Sequence, residues 1–312
     1  MPELPEVTTT VSGLQKVLPR MTISGLWTDL AKKDQAIKQF KRTIKDEKFF
    51  LDFKKKVIGQ KIIKVTRRAK NILIDISGEY TILIHLKMTG HLLFGDYYQE
   101  KETGKWLPRR SKALADPFNR FVHLVFTLED KKKNKKFLVF SDARKFGKVT
   151  LFRSKEISLI KDLKNLGPEP LEKSFTFQSF KERLALKPRG KIKTVLMNQN
   201  IIAGIGNIYS DEMLWQSGIN PNSICAKIPD RKLKLLYKAM RQILSKSIIL
   251  GGDSTSDYRN IKGEKGNFQK HHKVYRRSGE RCPKAKCCGI IKREIIGGRS
   301  AHFCPKHQEL FK

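Results

Sequence analysis

Apolar residues recur along the chain with two different periods, and the change between them divides it. Val7, Val11, Leu14 and Leu18 are spaced four, three and four apart, which predicts an amphipathic helix over residues 3–18. From about residue 60 the pattern becomes a series of short β-rich runs: "KIIKVT", "ILIDI", "TILIHL", "VHLVFTL", "FLVF" and "KVTLF". Clusters of Gly, Asp, Asn and Lys separate them, so the prediction is an antiparallel sandwich or barrel. Residues 97–119 read as loop, and the "KKKNKK" run at 131–136 as the solvated tip of a hairpin. "LGPEPL" at 166–171, with two prolines and a glycine, marks a domain boundary. Beyond it the period is helical. Asp230 is the predicted N-cap of a helix carrying Leu233, Leu236, Met240, Ile243, Leu244 and Ile248 and ended by Gly251-Gly252. The tail from about residue 262 is basic and short of apolar residues, as in a small module that needs a metal. There is no internal repeat.

Composition adds a partner to this outline. The 312 residues suffice for two domains, and 39% hydrophobic content suffices for their cores. The outlier is charge: 65 Lys and Arg against 30 Asp and Glu give a formal +35. Self-repulsion of that size opposes compaction unless a polyanion offsets it, and nucleic acid is the first candidate, ahead of an anionic membrane. No apolar run reaches membrane-spanning length, and the N-terminus lacks the apolar core of a signal peptide. The expectation is a cytoplasmic protein that faces nucleic acid.

Two local patterns carry chemistry. The chain opens "MPELPEV". Pro2 is small enough for the initiator Met to be removed, and the exposed secondary amine would titrate near ~8, partly unprotonated at neutral pH and therefore nucleophilic. Read alone, the same residues suit a helix start, with Pro in the first turn and Glu near the positive end of the helix dipole. The tail reads "CPKAKCCGIIKREIIGGRSAHFCPKHQ" and holds four of the five cysteines. Two close ligand pairs joined by a hairpin-length spacer are what tetrahedral zinc requires. The first is Cys282 with Cys287 or Cys288; the second is Cys304 with His307. One Zn²⁺ with a filled shell would be structural.

These stretches converge on a family. The chain resembles bacterial formamidopyrimidine-DNA glycosylase over nearly its whole length, through "PELPEV", "RRAK" (67–70), "HLKMTG" (85–90), "DARKFG" (142–147), "LGPEPL", "IAGIGNIYSDE" (202–212), "GGDSTSDY" (251–258), "GNFQ" (266–269), "VYRRSGERC" (274–282) and "GGRSAHFC" (297–304). The resemblance implies an α+β protein. A β-sandwich domain flanked by helices would span 1–155, a helix–two-turn–helix DNA-binding domain 172–261 and a zinc finger 273–312. A monomer would bind damaged double-stranded DNA in the cleft between domains.

It also implies roles. Pro2 is the nucleophile at C1′, Glu3 protonates the sugar ring oxygen, Glu6 supports it, and Lys70 approaches the lesion and its phosphates. Met88, Arg144 and Phe146 fill the hole left by a flipped base, and Lys145 keeps a phosphate contact. His123, Arg189, Lys193 and Asn207 contact DNA, Asn207 from a Gly-rich turn before a helix. Arg299, in the spacer of the finger, reaches the backbone and is associated with δ-elimination. Counting back from Arg299 and Cys304 favours Cys287 as the third thiol.

The chain departs from the family in four ways. The first cysteine pair is widened and the second ends in His307. Ala143-Arg144-Lys145 stands where Pro-Arg-Arg is usual, and Phe121 replaces a DNA-contacting histidine. Residues 29–50 and 97–118 are lysine-rich expansions. The implied activity is a bifunctional glycosylase and AP lyase for oxidised purines. The alternatives are an endonuclease VIII-like enzyme for oxidised pyrimidines, which typically has Gly where this chain has Leu4, and a non-catalytic zinc protein that binds DNA.

Overall fold

A computed structural model describes residues 1–33 and 37–312, so part of the 29–50 expansion, residues 34–36, lies outside the described residues. The chain forms two units. One comprises residues 1–164 and 251–267, the other 165–250 and 268–312.

The first unit opens with helix α1, Leu4–Val17, close to its predicted bounds. Leu4, Val7, Val11 and Leu14 form its buried face, and Glu3 and Glu6 close its N-terminus in a reciprocal capping box. Strand β1 (Thr22–Thr28) follows, then α2 (Glu47–Val57), whose N-cap Asp46 accepts the Phe49 N–H. Strands β2 (Ile62–Arg68), β3 (Asn71–Ile76), β4 (Tyr80–His85), β5 (His91–Gly95), β8 (Val122–Glu129), β9 (Lys135–Ser141) and β10 (Lys148–Arg153) complete two antiparallel sheets. Their orders are β1-β8-β9-β5 and β10-β4-β3-β2. The inner faces (Ile72, Ile74, Ile82 and Ile84 against Leu124, Phe126, Leu138 and Phe140) share one core with α1 and α2. The expected sandwich is therefore present.

The "KKKNKK" run lies at the tip of the β8–β9 hairpin, where Asp130 accepts the Lys132 and Asn134 N–H groups. Residues 97–119 are not all loop. β6 (Tyr97–Gln99) and β7 (Trp106–Pro108) pair in a small ribbon, and its Trp106 ring contacts Trp27 and Phe137. The unit closes its first stretch with a short helix α3 (Lys161–Lys164).

The second unit is helical: α4 (Phe177–Ala185), α5 (Ile192–Met197), α6 (Asn207–Ser217) and α7 (Asp230–Ile249). Tyr209, Met213 and Leu214 of α6 and Leu236, Met240 and Leu244 of α7 share a buried core, and Tyr209 hydrogen-bonds Ser247 at 2.6 Å. The N-cap of α7 is Pro229 rather than Asp230. Asp230 occupies the first helical turn and its carboxylate takes the Lys181 ammonium of α4. The tail hairpin β11 (Lys292–Ile296) and β12 (Arg299–Phe303) turns through Gly297 and Gly298, both with φ positive, as a two-residue turn matching strand twist requires. Among the described residues, no helix is long and apolar enough to cross a membrane.

The expected helical domain, 172–261, is divided. Residues 251–267 pack with the N-terminal unit because their amides and Tyr258 bond to α1 and Ile261 accepts the Phe94 N–H. The finger in turn groups with the helices.

Candidate functional site

The head of α1 concentrates buried polar chemistry. Pro2 is buried, and Glu3 and Glu6 are each 2% exposed. One Glu6 oxygen accepts the Glu3 N–H at 2.8 Å and the other the Asp253 N–H at 2.7 Å. The Tyr258 hydroxyl donates to the Glu6 carbonyl at 3.1 Å. Burial raises the Tyr258 pKa, so the phenol stays protonated as that donor. Gly252, at φ +86°, allows the approach, because a Cβ there would lie 2.9 Å from the Glu6 carboxylate. The "GGDSTSDY" stretch thus holds Glu6 from behind, a role its spacing does not reveal.

Lys70 follows Ala69, which adopts the left-handed conformation (φ +53°) in the β2–β3 turn, and it is 6% exposed. Arg67 donates to the Ala69 carbonyl at 2.8 Å and fixes that turn. Across the β3–β4 ladder, Asn71 pairs with His85, a residue the sequence reading passed over although it heads "HLKMTG". His85 Nδ1 accepts the Lys87 N–H at 3.0 Å, so its proton is on Nε2. Burial, aided by Lys87 and Lys70, lowers its pKa to about 3. A neutral N–H donor thus stands among lysines.

Two loops of the first unit present the expected wedge. Met88 is half-buried, whereas Arg144, Lys145 and Phe146 are exposed. The Arg144 guanidinium lies 4.7 Å from the Phe146 ring centre. The buried carboxylate of Asp142 joins the loops: it accepts the Thr89 hydroxyl at 2.5 Å and the Gly147 N–H at 2.6 Å. Thr89 in turn accepts the Arg144 N–H at 3.1 Å. Asp142 and Thr89 both stood in the matching stretches without a role; their spacing in sequence hides the pairing.

Two residues expected to contact DNA have acidic partners within the protein. Lys193 is fully buried, not surface-facing. Its ammonium pairs with Asp211 at 2.5 Å and donates to Ser210 at 3.2 Å. His123 is 7% exposed, with Nδ1 2.9 Å from Asp29, and its Nε2 is buried as well. Both are basic residues whose acidic partners lie elsewhere in the chain. Arg189 is exposed. Asn207 is the first residue of α6, after Gly204 at φ +86° and an extended Gly206. The next acidic residues of α6 hold the tail: Asp211 accepts the His302 N–H and Nδ1–H at 3.0 Å, and Glu212 accepts the N–H groups of Lys273, Val274 and Tyr275.

At the tail, the Sγ atoms of Cys282, Cys287 and Cys304 lie within 4.8 Å of one another. Cys287 and Cys304 are 3.7 Å apart, the spacing of two thiolates on one tetrahedral zinc at ~2.3 Å each. Trp215 Nε1–H and the Gly289 N–H, each at 3.4 Å, donate to Cys282 and Cys287. Cys288 is exposed beside Lys306, so the structure selects Cys287. His307 is not drawn into the group of three thiols. Its Nε2–H donates to the Trp215 carbonyl at 2.9 Å, which leaves the lone pair on Nδ1. Arg299 is exposed immediately after the Gly297-Gly298 turn.

Family comparison agrees with this geometry. Residues 1–149 match the formamidopyrimidine-DNA glycosylase N-terminal domain and residues 166–259 the formamidopyrimidine-DNA glycosylase H2TH domain. The chain is 36% identical over 312 residues to a formamidopyrimidine-DNA glycosylase of Pelotomaculum thermopropionicum, covering 99% of this chain and 100% of that one. It is 33% identical to that of Bacillus subtilis, covering 99% of each. It is similar to the Lactococcus lactis protein in complex with abasic-site DNA (TM-score 0.79, 28% identity, 98% and 99% covered). The same protein in complex with DNA containing an oxidised pyrimidine also matches (TM-score 0.79, 29% identity, 99% and 100% covered).

Proposed function

The chain belongs to the formamidopyrimidine-DNA glycosylase family, and on that premise we propose that it excises oxidised purines from duplex DNA and then cuts the strand. The observation that carries this reading is the head of α1, where two buried carboxylates, one held by amides on two sides, adjoin Pro2. Removal of Met1 makes Pro2 a secondary amine. It forms a bond to C1′ as the bond from C1′ to the base breaks, and its proton leaves with the base. Glu3 then gives its proton to the ring oxygen as the C1′–O4′ bond opens, which leaves a C4′ hydroxyl and an iminium at C1′. The iminium acidifies the C2′ hydrogen. Its loss expels the 3′ phosphate, and a second elimination expels the 5′ phosphate. Lys70 and His85 supply a cation and a neutral donor to backbone phosphate, Arg299 a further cation, and Met88, Arg144 and Phe146 fill the vacated stack. Arg189, Lys145 and the N-terminus of α6 at Asn207 add phosphate contacts.

The three thiols suit one structural Zn²⁺, with His307 as fourth ligand through Nδ1 and Trp215 as its outer partner. That ion would fold the tail and so position Arg299.

Incubation with a duplex carrying 8-oxoguanine opposite cytosine, plus borohydride, should give a stable protein–DNA adduct that mass spectrometry maps to Pro2. Glu3→Gln should lower base excision by about 10²–10⁴-fold, the range for a positioned general acid. It should still nick a pre-formed abasic site, whose sugar is already open. An adduct on Lys70, or full activity with Met1 retained, would overturn the proline mechanism.

A further inference from the structure

The lysine-rich segment before α2 carries a contact that the reading above leaves unused. Lys45 is 4% exposed. Its Nζ donates to the Lys145 carbonyl at 2.6 Å and lies 3.7 Å from the centre of the Phe40 ring. The segment is itself fixed to the sheet. Ile44 N–H donates to the Val149 carbonyl at 3.1 Å, the Thr150 hydroxyl to the Arg42 carbonyl at 2.7 Å, and the Thr43 hydroxyl to the Phe40 carbonyl at 2.6 Å. Phe40 and Thr43 line, together with Lys87, Phe146 and Gly147, a recess of about 510 Å³ beside the wedge.

Lys145 is the residue between Arg144 and Phe146, and it is left-handed (φ +56°) without being glycine. Such a conformation persists only when its surroundings over-determine it. Asp142 ties the two ends of the loop, and Lys45 holds its middle. An ammonium-to-carbonyl bond is stronger than a neutral one. It is also costly to bury: desolvation lowers the Lys45 pKa to about 8, Asp142 opposes the shift and Lys87 adds to it. A lysine has a flexible stem that can carry its charge to water, so its retention against a backbone oxygen marks a fixed loop conformation.

We infer that Lys45 is a positioning residue for the wedge: by pinning the Lys145 carbonyl it presets Arg144 and Phe146 for entry into the base stack. A loop already in its inserted form loses less freedom when DNA binds. The inference rests on the glycosylase reading and adds to it a role for the expansion. It predicts a selective defect, because an intact lesion must be forced out of the stack whereas an abasic nucleotide resists far less.

The test compares full-length wild type, Lys45→Met and Lys45→Arg. Three quantities are read: single-turnover excision of 8-oxoguanine, nicking of a pre-formed abasic site, and the fluorescence rise of 2-aminopurine placed 3′ to the lesion. Thermal unfolding is measured beside them. Lys45→Met should slow excision and the fluorescence rise together by about tenfold, and nicking by no more than about twofold. Lys45→Arg keeps a charged donor and should recover excision to within about threefold of wild type. Unchanged excision in Lys45→Met, or an equal loss on both substrates with a lower Tm, overturns the inference; the second outcome makes Lys45 a structural staple. Wild type that excises nothing from any oxidised-purine duplex overturns the glycosylase reading and this inference with it. An active wild type with an indifferent Lys45→Met overturns the inference alone.

Discussion

The two units bury charge in opposite ways. At the head of α1, the Glu6 carboxylate takes the backbone N–H groups of Glu3 and Asp253. Inside the helical unit, the Asp211 carboxylate takes the Lys193 ammonium on one oxygen and the His302 ring and N–H on the other. Amide donors fix where a carboxylate sits, whereas an ammonium in contact also fixes its charge. The first arrangement suits a group that supports proton traffic; the second suits a joint. The joint ties α5 to α6 and α6 to the strand that leads into Cys304, and the exposed arginines Arg189 and Arg299 of that unit lie outside it.

The largest expected effect tests the joint. Lys193→Met removes the ammonium and leaves Asp211 charged and buried, which should destabilise the helical unit by about 3–5 kcal/mol. Glu6→Gln keeps a carbonyl acceptor and should cost the other unit about 1–2 kcal/mol while impairing excision. Urea unfolding followed through Trp215 reads the first, and activity reads the second. Equal stability losses with excision intact in Glu6→Gln would erase the distinction between the two sites.

Much of this was legible in the sequence, and what was not has a common cause. Helix α1, the sandwich strands, α7 and the cysteine cluster follow from local periods and spacings, which neighbouring residues determine. The partners of Lys193 and His123, both expected to contact DNA, could not be read from the sequence, because they lie far away in it. Asp211 lies 18 positions from Lys193 and Asp29 94 positions from His123. Lys45 escaped notice, and Gly252 was read only as a helix end, for the same reason, since each acts on a loop or helix far away in sequence. His85 was within reach: it stood in a quoted motif, and only its placement among lysines singles it out.

The thiol cluster sharpens the comparison, because a bound Zn²⁺ would extend charge pairing to the tail of the helical unit. Three thiols this close together suit a cation, which would hold them as thiolates. Purified protein should carry one Zn²⁺ per chain, measured by mass spectrometry of the native protein. Cys287→Ser and His307→Ala should each reduce the content well below one equivalent, typically by 10-fold or more in affinity, about the loss seen when a metal shell is disturbed. Cys288→Ser should leave it unchanged, since that thiol is exposed and outside the group. Full zinc in His307→Ala would remove His307 from the shell and leave a three-thiol site. Retention of the N-terminal fold in every variant is expected, because the finger belongs to the other unit.

The smallest effect concerns His85, the first unit's example of charge excluded rather than paired. Its folded pKa is lowered to about 3 by burial and by Lys87 and Lys70, against ~6.5 in an unfolded chain. The folded protein therefore holds this ring neutral, and the unfolded chain binds the extra proton. Stability from this group is complete above pH 6.5 and declines as pH falls toward 3, by at most about 1.4 kcal/mol per pH unit. Between pH 8 and 6.5 it contributes no slope. The His85 ring resonances should stay constant from pH 8 to 4.5 in NMR spectra. His85→Gln, which keeps a side-chain acceptor for the Lys87 N–H, should lose less stability than wild type between pH 6.5 and 5, by about 1–2 kcal/mol. A His85 resonance that titrates above about pH 7.5 would mean that the ring is charged at neutral pH. His85 would then be a second cation beside Lys70, and the contrast between a neutral donor and its lysines would be gone.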